Sequence, residues 1–182
     1  MLRPTEAVAQ YVVFAALALH DHPEWRPALT AGGEEELEHF VQEVRRYYPF
    51  FPLVGGRVLT PFDWRGHHFA EGAWVLLDLY GTNHDARTWT DPEAFRPERF
   101  RGREPGAFDL IPQGGGDRHH GHRCAGEWIT VELVKTAVRM LTAEMSYEVP
   151  RQDLRLPLSR MPAVPKSRFV IADVRHRPTA VS

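Results

Sequence analysis

The sequence has few of the features that mark secreted, membrane-spanning or nucleic-acid-binding proteins. It contains one cysteine in 182 residues, so no internal disulfide can form and a disulfide scaffold is excluded. Its formal net charge is −2, which gives no electrostatic reason to expect nucleic acid or an anionic membrane as partner. The longest apolar run, residues 7–19 interrupted by Gln10, is too short to span a bilayer, and no signal-peptide pattern precedes it. We therefore expect no membrane span and, by default, a cytoplasmic location.

The length and hydrophobic patterning predict one partial domain over residues 1–182. A chain of this length normally forms a single domain. The run at residues 7–19 is apolar on every side, and a helix of that kind requires protein all around it. Since only one domain follows to cover it, we expect the chain to be an incomplete part of a larger fold.

Periodicity predicts helices at both ends of a short-stranded region. Residues 34–48 have apolar side chains at helical spacing and stop before Pro49. Short strands are predicted between Arg57 and Tyr80, at residues 58–59, 67–69 and 74–77, and residues 83–113 show little periodicity. A helix is predicted for residues 128–145, and the tail around residues 169–171 is expected to form a small hairpin. The apolar face of that last helix is predicted to consist of Ile129, Leu133, Ala137, Met140 and Leu141.

The single cysteine, Cys124, follows a glycine-rich loop at residues 114–126 and precedes a predicted helix. The free N–H groups and positive end of a helix favour the thiolate, and Arg118, His122 and Arg123 add positive charge nearby. Glycines allow the backbone to approach a flat group without a Cβ in the way. This combination indicates a thiolate ligand for a large metal cofactor.

Two other interpretations of the loop remain open from these residues alone. A lone thiol is most commonly a buried, unreactive side chain. A zinc site is also chemically possible because zinc binds four nitrogen or sulfur ligands, although four ligands so close in sequence would strain the chain. That zinc site would consist of His119, His120, His122 and Cys124.

The segment PQGGGDRHHGHRCAGEWIT, residues 112–130, resembles the cysteine loop of cytochromes P450 in the variant found in bacterial fatty-acid peroxygenases. The general family pattern of Phe, Gly and Arg is replaced here by Asp117, His120 and His122, whereas Cys124 and Gly126 are retained. Peroxygenases carry a longer loop ending in Gly-His-Arg-Cys, as residues 121–124 do. The resemblance implies haem b as cofactor with Cys124 as the iron ligand, and further cofactor contacts from His122, Arg57 and Gly126.

Three further segments support the same resemblance in the same order along the chain. They are QEVRRYYPF at residues 42–50, LLDLYGTNHD at residues 76–85 and FRPERF at residues 95–100. The resemblance implies that Glu43, Arg46 and Arg99 form a buried structural network behind the haem. The fold expected is mainly α with a small β-sheet component, the C-terminal haem-binding half of the cytochrome P450 fold. The N-terminal half is then expected to be missing and to act as a partner.

The pair Arg3-Pro4 resembles the Arg-Pro pair that peroxygenases carry in place of the acid and alcohol of ordinary family members. The resemblance implies that Arg3, with Pro4, binds the carboxylate of a fatty acid through a bidentate fork. That carboxylate would serve as general base and acid for hydrogen peroxide. The predicted function is peroxide-dependent hydroxylation or decarboxylation of fatty acids at the α or β carbon. The choice among these products and the preferred chain length do not follow from the sequence.

Two alternatives to a peroxygenase are retained. One is a conventional cytochrome P450 monooxygenase supplied by a redox partner, against which the Arg3-Pro4 pair argues. The other is a non-catalytic fragment or a His/Cys metal-binding module.

Overall fold

The computed structural model describes residues 2–31, 33–117 and 119–177, with side chains in the first helix from Thr5 onward. Its helices are α1 (Leu2–Asp21), α2 (Arg26–Ala31), α3 (Glu34–Tyr47), α4 (Leu79–Asn83) and α5 (Glu127–Arg139). Short 3₁₀ turns lie at Pro23–Trp25 and Pro97–Phe100, and a π-helical turn, Met140–Glu144, extends α5. None of the helices within those ranges combines the length and apolar character that a membrane crossing requires.

Within the described residues, six short strands form three separate antiparallel pairs. They are β1 (Leu53–Arg57) with β4 (Trp74–Asp78), β2 (Phe62–Trp64) with β3 (His67–Phe69), and β5 (Met145–Glu148) with β6 (Ala172–His176). The predicted strands at residues 67–69 and 74–77 are present, and the predicted character, mainly α with a small sheet component, is confirmed.

Two strand predictions were wrong. The strand expected at Val58 and Leu59 ends at Arg57. The tail forms no local hairpin at residues 169–171, because β6 pairs instead with β5 from the end of the preceding helical segment. This long-range pairing leaves no short-range pattern in the sequence.

The core lies where α1, α3 and α5 pack against one another. In α1, Tyr11, Phe14 and residues 15–19 are buried, which agrees with the apolar run in the sequence. Phe14 stacks on Tyr48 with ring centroids 5.2 Å apart, and Tyr11 contacts Phe50 at 4.6 Å. These contacts hold the end of α3 and the start of β1 against α1, beside the loop that carries Cys124.

The buried face of α5 differs from the prediction. Val131, Val134 and Val138 are fully or almost fully buried, whereas Ile129 is 63 % exposed and Leu133 is 45 % exposed. The helix carries apolar residues on two faces, so periodicity alone could not distinguish them. Packing against α1 and α3 decides which face enters the core.

Candidate functional site

Cys124 lies in the wall of an open cavity of about 690 Å³. A pocket of this size with mostly apolar walls and few polar groups is typical of small-molecule and cofactor sites. The thiol is exposed, which contradicts the interpretation of a buried, unreactive cysteine. The apolar walls come from β1, β4 and the segments beside them, and Ala7 of α1 contributes one edge. The apolar lining includes Phe50, Phe51, Val54, Leu77, Leu79 and Ile111.

The cysteine loop is fixed by its own backbone hydrogen bonds. The Cys124 amide donates to the carbonyl of Gln113 at 3.0 Å, and the Glu127 amide donates to the carbonyl of Cys124 at 3.2 Å. Gly114 has φ of +92°, and a Cβ there would collide with the carbonyl of His122. A Cβ at Gly121 would similarly collide with the backbone of Asp117. These two glycines are therefore needed for the loop to fold on itself.

The residues present fit a haem bound through a thiolate. Cys124 and His122 both line the cavity, and Cys124 is exposed. A Cβ at Gly126 would lie 3.8 Å from the sulfur of Cys124, at ordinary van der Waals distance, so glycine leaves more room beside the sulfur although a Cβ there would not collide with it. A cysteine thiolate is one of the ligands by which proteins hold haem iron, and the apolar lining of the cavity suits a porphyrin.

The zinc interpretation is not supported. Among the side chains that the structure describes, no group of three or more His, Cys, Asp or Glu residues is arranged to hold a metal ion. All four candidate zinc ligands belong to that set. His120 instead pairs with Asp117 at 3.1 Å on the surface.

Glu43, Arg46 and Arg99 form a buried ionic network. The Glu43 carboxylate accepts hydrogen bonds from Arg46 Nε at 2.7 Å and Nη2 at 2.8 Å. It also accepts from Arg99 Nε at 3.2 Å and from the backbone N–H of Arg96 at 2.7 Å. Glu43 and Arg46 are both fully buried. The network thereby fixes the segment around the 3₁₀ turn Pro97–Phe100 against α3.

Asn83, which the sequence reasoning did not single out, connects this network to the segment that leads into the cysteine loop. Its backbone carbonyl accepts from Arg46 Nη1 at 2.9 Å. Its side-chain oxygen accepts from the Ile111 amide, also at 2.9 Å, and the residue is only 3 % exposed. The motif LLDLYGTNHD contained this signal, since a buried Asn at the end of a short helix must find hydrogen-bond partners.

A second buried cluster, also missed from sequence, lies beside Cys124. Arg45 and Arg123 both donate to the carboxylate of Glu127. Burial raises the pKa of Glu127, but the hydrogen bonds and charges of Arg123 and Arg45 outweigh burial and place this pKa below its usual value. Glu127 is therefore ionised, and this ion cluster attaches the start of α5 to α3.

For the remaining predicted site residues, Arg57, Arg3 and Pro4, the structure does not establish the predicted role. Arg57 donates to the carbonyl of Gly72 at 2.9 Å and lies 4.8 Å from the ring centre of Trp74. Contact between Arg57 and a haem propionate would require the side chain to leave these partners, and stays a prediction. The side chains of Arg3 and Pro4 lie outside the described residues, so their predicted role is likewise untested.

Comparison with known proteins identifies the family. The family model "Cytochrome P450" matches residues 36–166. Cytochrome P450 4A11 of Homo sapiens is 30% identical over 125 residues, which covers 66% of this chain and 23% of the relative.

Among solved structures, cytochrome P450EX alpha with myristic acid is 46% identical with a TM-score of 0.88, covering 97% of this chain and 43% of that one. Cytochrome P450SP alpha in complex with (R)-ibuprophen is 52% identical with a TM-score of 0.87, covering 96% and 42%. A variant of cytochrome P450 OleT in complex with arachidonic acid is 42% identical with a TM-score of 0.85, covering 97% and 42%.

The match to these structures extends over nearly all of this chain but less than half of each of them. The predicted resemblance to the fatty-acid peroxygenase group is confirmed by these similarities. Haem held by a cysteine thiolate is the cofactor of such proteins, in agreement with the prediction from the loop. The chain belongs to the cytochrome P450 family.

Proposed function

We propose that the protein is a haem-thiolate oxidoreductase that uses hydrogen peroxide to hydroxylate or decarboxylate fatty acids at the α or β carbon. The observation that carries this proposal is the exposed thiol of Cys124 in the wall of an apolar cavity. That cavity belongs to a fold shared with P450s solved with myristic and arachidonic acid. When bound, haem supplies the redox chemistry, and a thiolate ligand favours cleavage of the O–O bond.

Cys124 is the proposed iron ligand, held in place by the loop hydrogen bonds to Gln113 and Glu127. Gly126 is proposed to leave room for the haem beside the sulfur, and His122, in the wall of the same cavity, is proposed to contact a haem propionate together with Arg57. The face of the cofactor away from Cys124 is proposed to be covered by the part of the fold that the longer solved relatives add.

The apolar wall suits the acyl chain of a fatty acid. Burial of each methylene contributes about 0.8 kcal/mol, which favours long substrates on any part of this wall that the haem leaves uncovered. Position 3 lies one helical turn before Ala7, which lines the cavity, and residues four apart share a helix face. We propose that Arg3 binds the substrate carboxylate at this end, with Pro4 beside it. The carboxylate then accepts a proton from hydrogen peroxide and returns it to the departing oxygen.

Cys124→Ser tests the thiolate. The 182-residue chain is titrated with haemin, reduced and exposed to carbon monoxide, with His119→Ala, an exposed loop residue, as matched control. We expect the thiolate-type absorbance band in the wild type and in His119→Ala and its loss in Cys124→Ser. A band of the histidine- or water-ligated type in the wild type, or an unchanged band in Cys124→Ser, would refute the ligation.

Arg3→Ala tests the substrate role separately from haem binding. We expect the variant to retain the thiolate-type band and to lose peroxide-driven oxidation of a long-chain fatty acid, measured by mass spectrometry of the products. Retention of wild-type turnover would remove the carboxylate from the mechanism.

A second candidate is a conventional monooxygenase supplied by a redox partner. It is favoured by the sequence relatives, which include cytochrome P450 4A11. Turnover with hydrogen peroxide in the absence of any reductase supports the peroxygenase. Turnover that occurs only with a reductase and NAD(P)H supports the monooxygenase.

A further inference from the structure

Arg45 makes hydrogen bonds to both sides of the cysteine loop. The residue is 1 % exposed, and its guanidinium donates through Nε to the side-chain oxygen of Gln113 at 3.3 Å and through Nη2 to Glu127. A third hydrogen bond, from Nη1 to Gln42 at 2.5 Å, fixes the fork on its own helix, α3.

The two residues that Arg45 holds, Gln113 just before the loop and Glu127 at the start of α5, are also the backbone partners of Cys124. Gln113 supplies the carbonyl that accepts from the Cys124 amide, and Glu127 supplies the amide that donates to the Cys124 carbonyl. The buried side chain of Arg45 therefore fixes both residues that hydrogen-bond to the backbone of Cys124.

The neighbouring Arg123 cannot substitute for Arg45 in this arrangement. Arg123 also donates to Glu127, with Nη2 at 2.9 Å, but it belongs to the same loop and follows the loop if the loop moves. Arg45 comes from α3 and connects the loop to the core. Its planar guanidinium can donate to Gln113 and Glu127 at the same time, and a lysine ammonium does not offer donors in the same geometry.

We propose that Arg45 is a positioning residue that fixes the backbone of Cys124, and so the direction of its thiol, relative to the cavity. This inference rests on the proposed function only in so far as the thiol binds haem iron. The fixing of the loop itself is a property of the chain without cofactor, and it can be tested there.

Amide hydrogen exchange on the haem-free 182-residue chain is the first test. In Arg45→Met we expect the amides of Cys124 and Glu127 to exchange at least about tenfold faster, equivalent to roughly 1.4 kcal/mol of local stability. Lys135→Met is the matched control, because Lys135 is also a buried cation on a packed helix and pairs with Glu34, Glu38 and Glu132. Its loss is expected to leave the ratio of Cys124 exchange to α1 exchange unchanged.

Gln113→Leu provides a milder variant in case Arg45→Met does not fold. It removes one acceptor of Arg45 but leaves the backbone carbonyl that accepts from Cys124. Faster exchange at Cys124 than in the control supports the inference. The inference is overturned if the Cys124 amide exchanges no faster relative to the amides of α1 than in the wild type, both in Gln113→Leu and, if it folds, in Arg45→Met.

The carbon-monoxide spectrum of the haem-loaded chain is the second readout. Arg45→Met is expected to convert part of the thiolate-type band to the type given by a displaced thiolate, whereas Lys135→Met keeps the wild-type band. A wild type without the thiolate band refutes the proposed function, yet the exchange measurement still decides the role of Arg45. A full thiolate band in Arg45→Met with unchanged exchange refutes the positioning role alone.

Discussion

Replacement of Glu43 by Gln is the most informative single perturbation of the fold. The carboxylate accepts three hydrogen bonds from two arginines and one from a backbone amide, and it is fully buried. Glutamine preserves the shape but removes the charge, so the guanidinium groups of Arg46 and Arg99 lose their shared counter-charge. Loss of one member of a buried ion pair lowers the free energy of unfolding by about 3–5 kcal/mol. This is a large part of the roughly 5–15 kcal/mol that stabilises a typical domain.

The assay is urea unfolding followed by far-ultraviolet circular dichroism. Asp91→Asn is the matched control, because Asp91 pairs with Arg96 at 3.1 Å beside the network but is 69% exposed, and an exposed pair contributes at most about 1 kcal/mol. We expect Glu43→Gln to lower the unfolding free energy several times more than the control. Equal effects of the two substitutions would show that the buried network does not stabilise the fold as argued.

Three further predictions concern loop geometry and pH. Asn83→Ala removes the acceptor of a buried loop amide and is expected to lower the free energy of unfolding by about 1–3 kcal/mol in the same assay; no loss would contradict the proposed link. Gly114→Ala forces a Cβ into a left-handed conformation and into a loop carbonyl, so its melting temperature should fall, whereas Gly56→Ala, which meets nothing within 4 Å, should change little. Burial raises the pKa of Glu38, but hydrogen bonds from Lys135 and other groups outweigh burial and hold it below its ordinary 4.5. The stabilisation that ionised Glu38 contributes to the folded state is fully present above pH 4.5. It is lost as the pH falls through the lower pKa that Glu38 has in the folded protein. Lys135→Met should therefore give a shallower loss of stability in acid, and an unchanged pH dependence would exclude this pairing as its source.

The cysteine loop was predictable from sequence because its chemistry is local. A thiol after a run of glycines and before a helix depends on residues that are neighbours along the chain, and the structure places Cys124 and His122 in the wall of one cavity. The helix at residues 34–47 was predictable for the same reason, since its apolar positions repeat at a period that the helix itself imposes. The motif resemblance added the partners Glu43, Arg46 and Arg99, which the structure places in contact.

The tertiary structure decided the features that depend on residues far apart in sequence. Periodicity assigned Ile129 and Leu133 to the core of α5, but packing against α1 and α3 buries the valines of the other face. In the sequence, Arg45 is only one residue of a motif. The fold brings its guanidinium into contact with Gln113 and Glu127, which lie on either side of Cys124. The sequence by itself determined which chemical groups are present and which local shapes they favour. Which of those groups meet was decided by long-range packing, because contacts between distant segments leave no periodic trace in either segment alone.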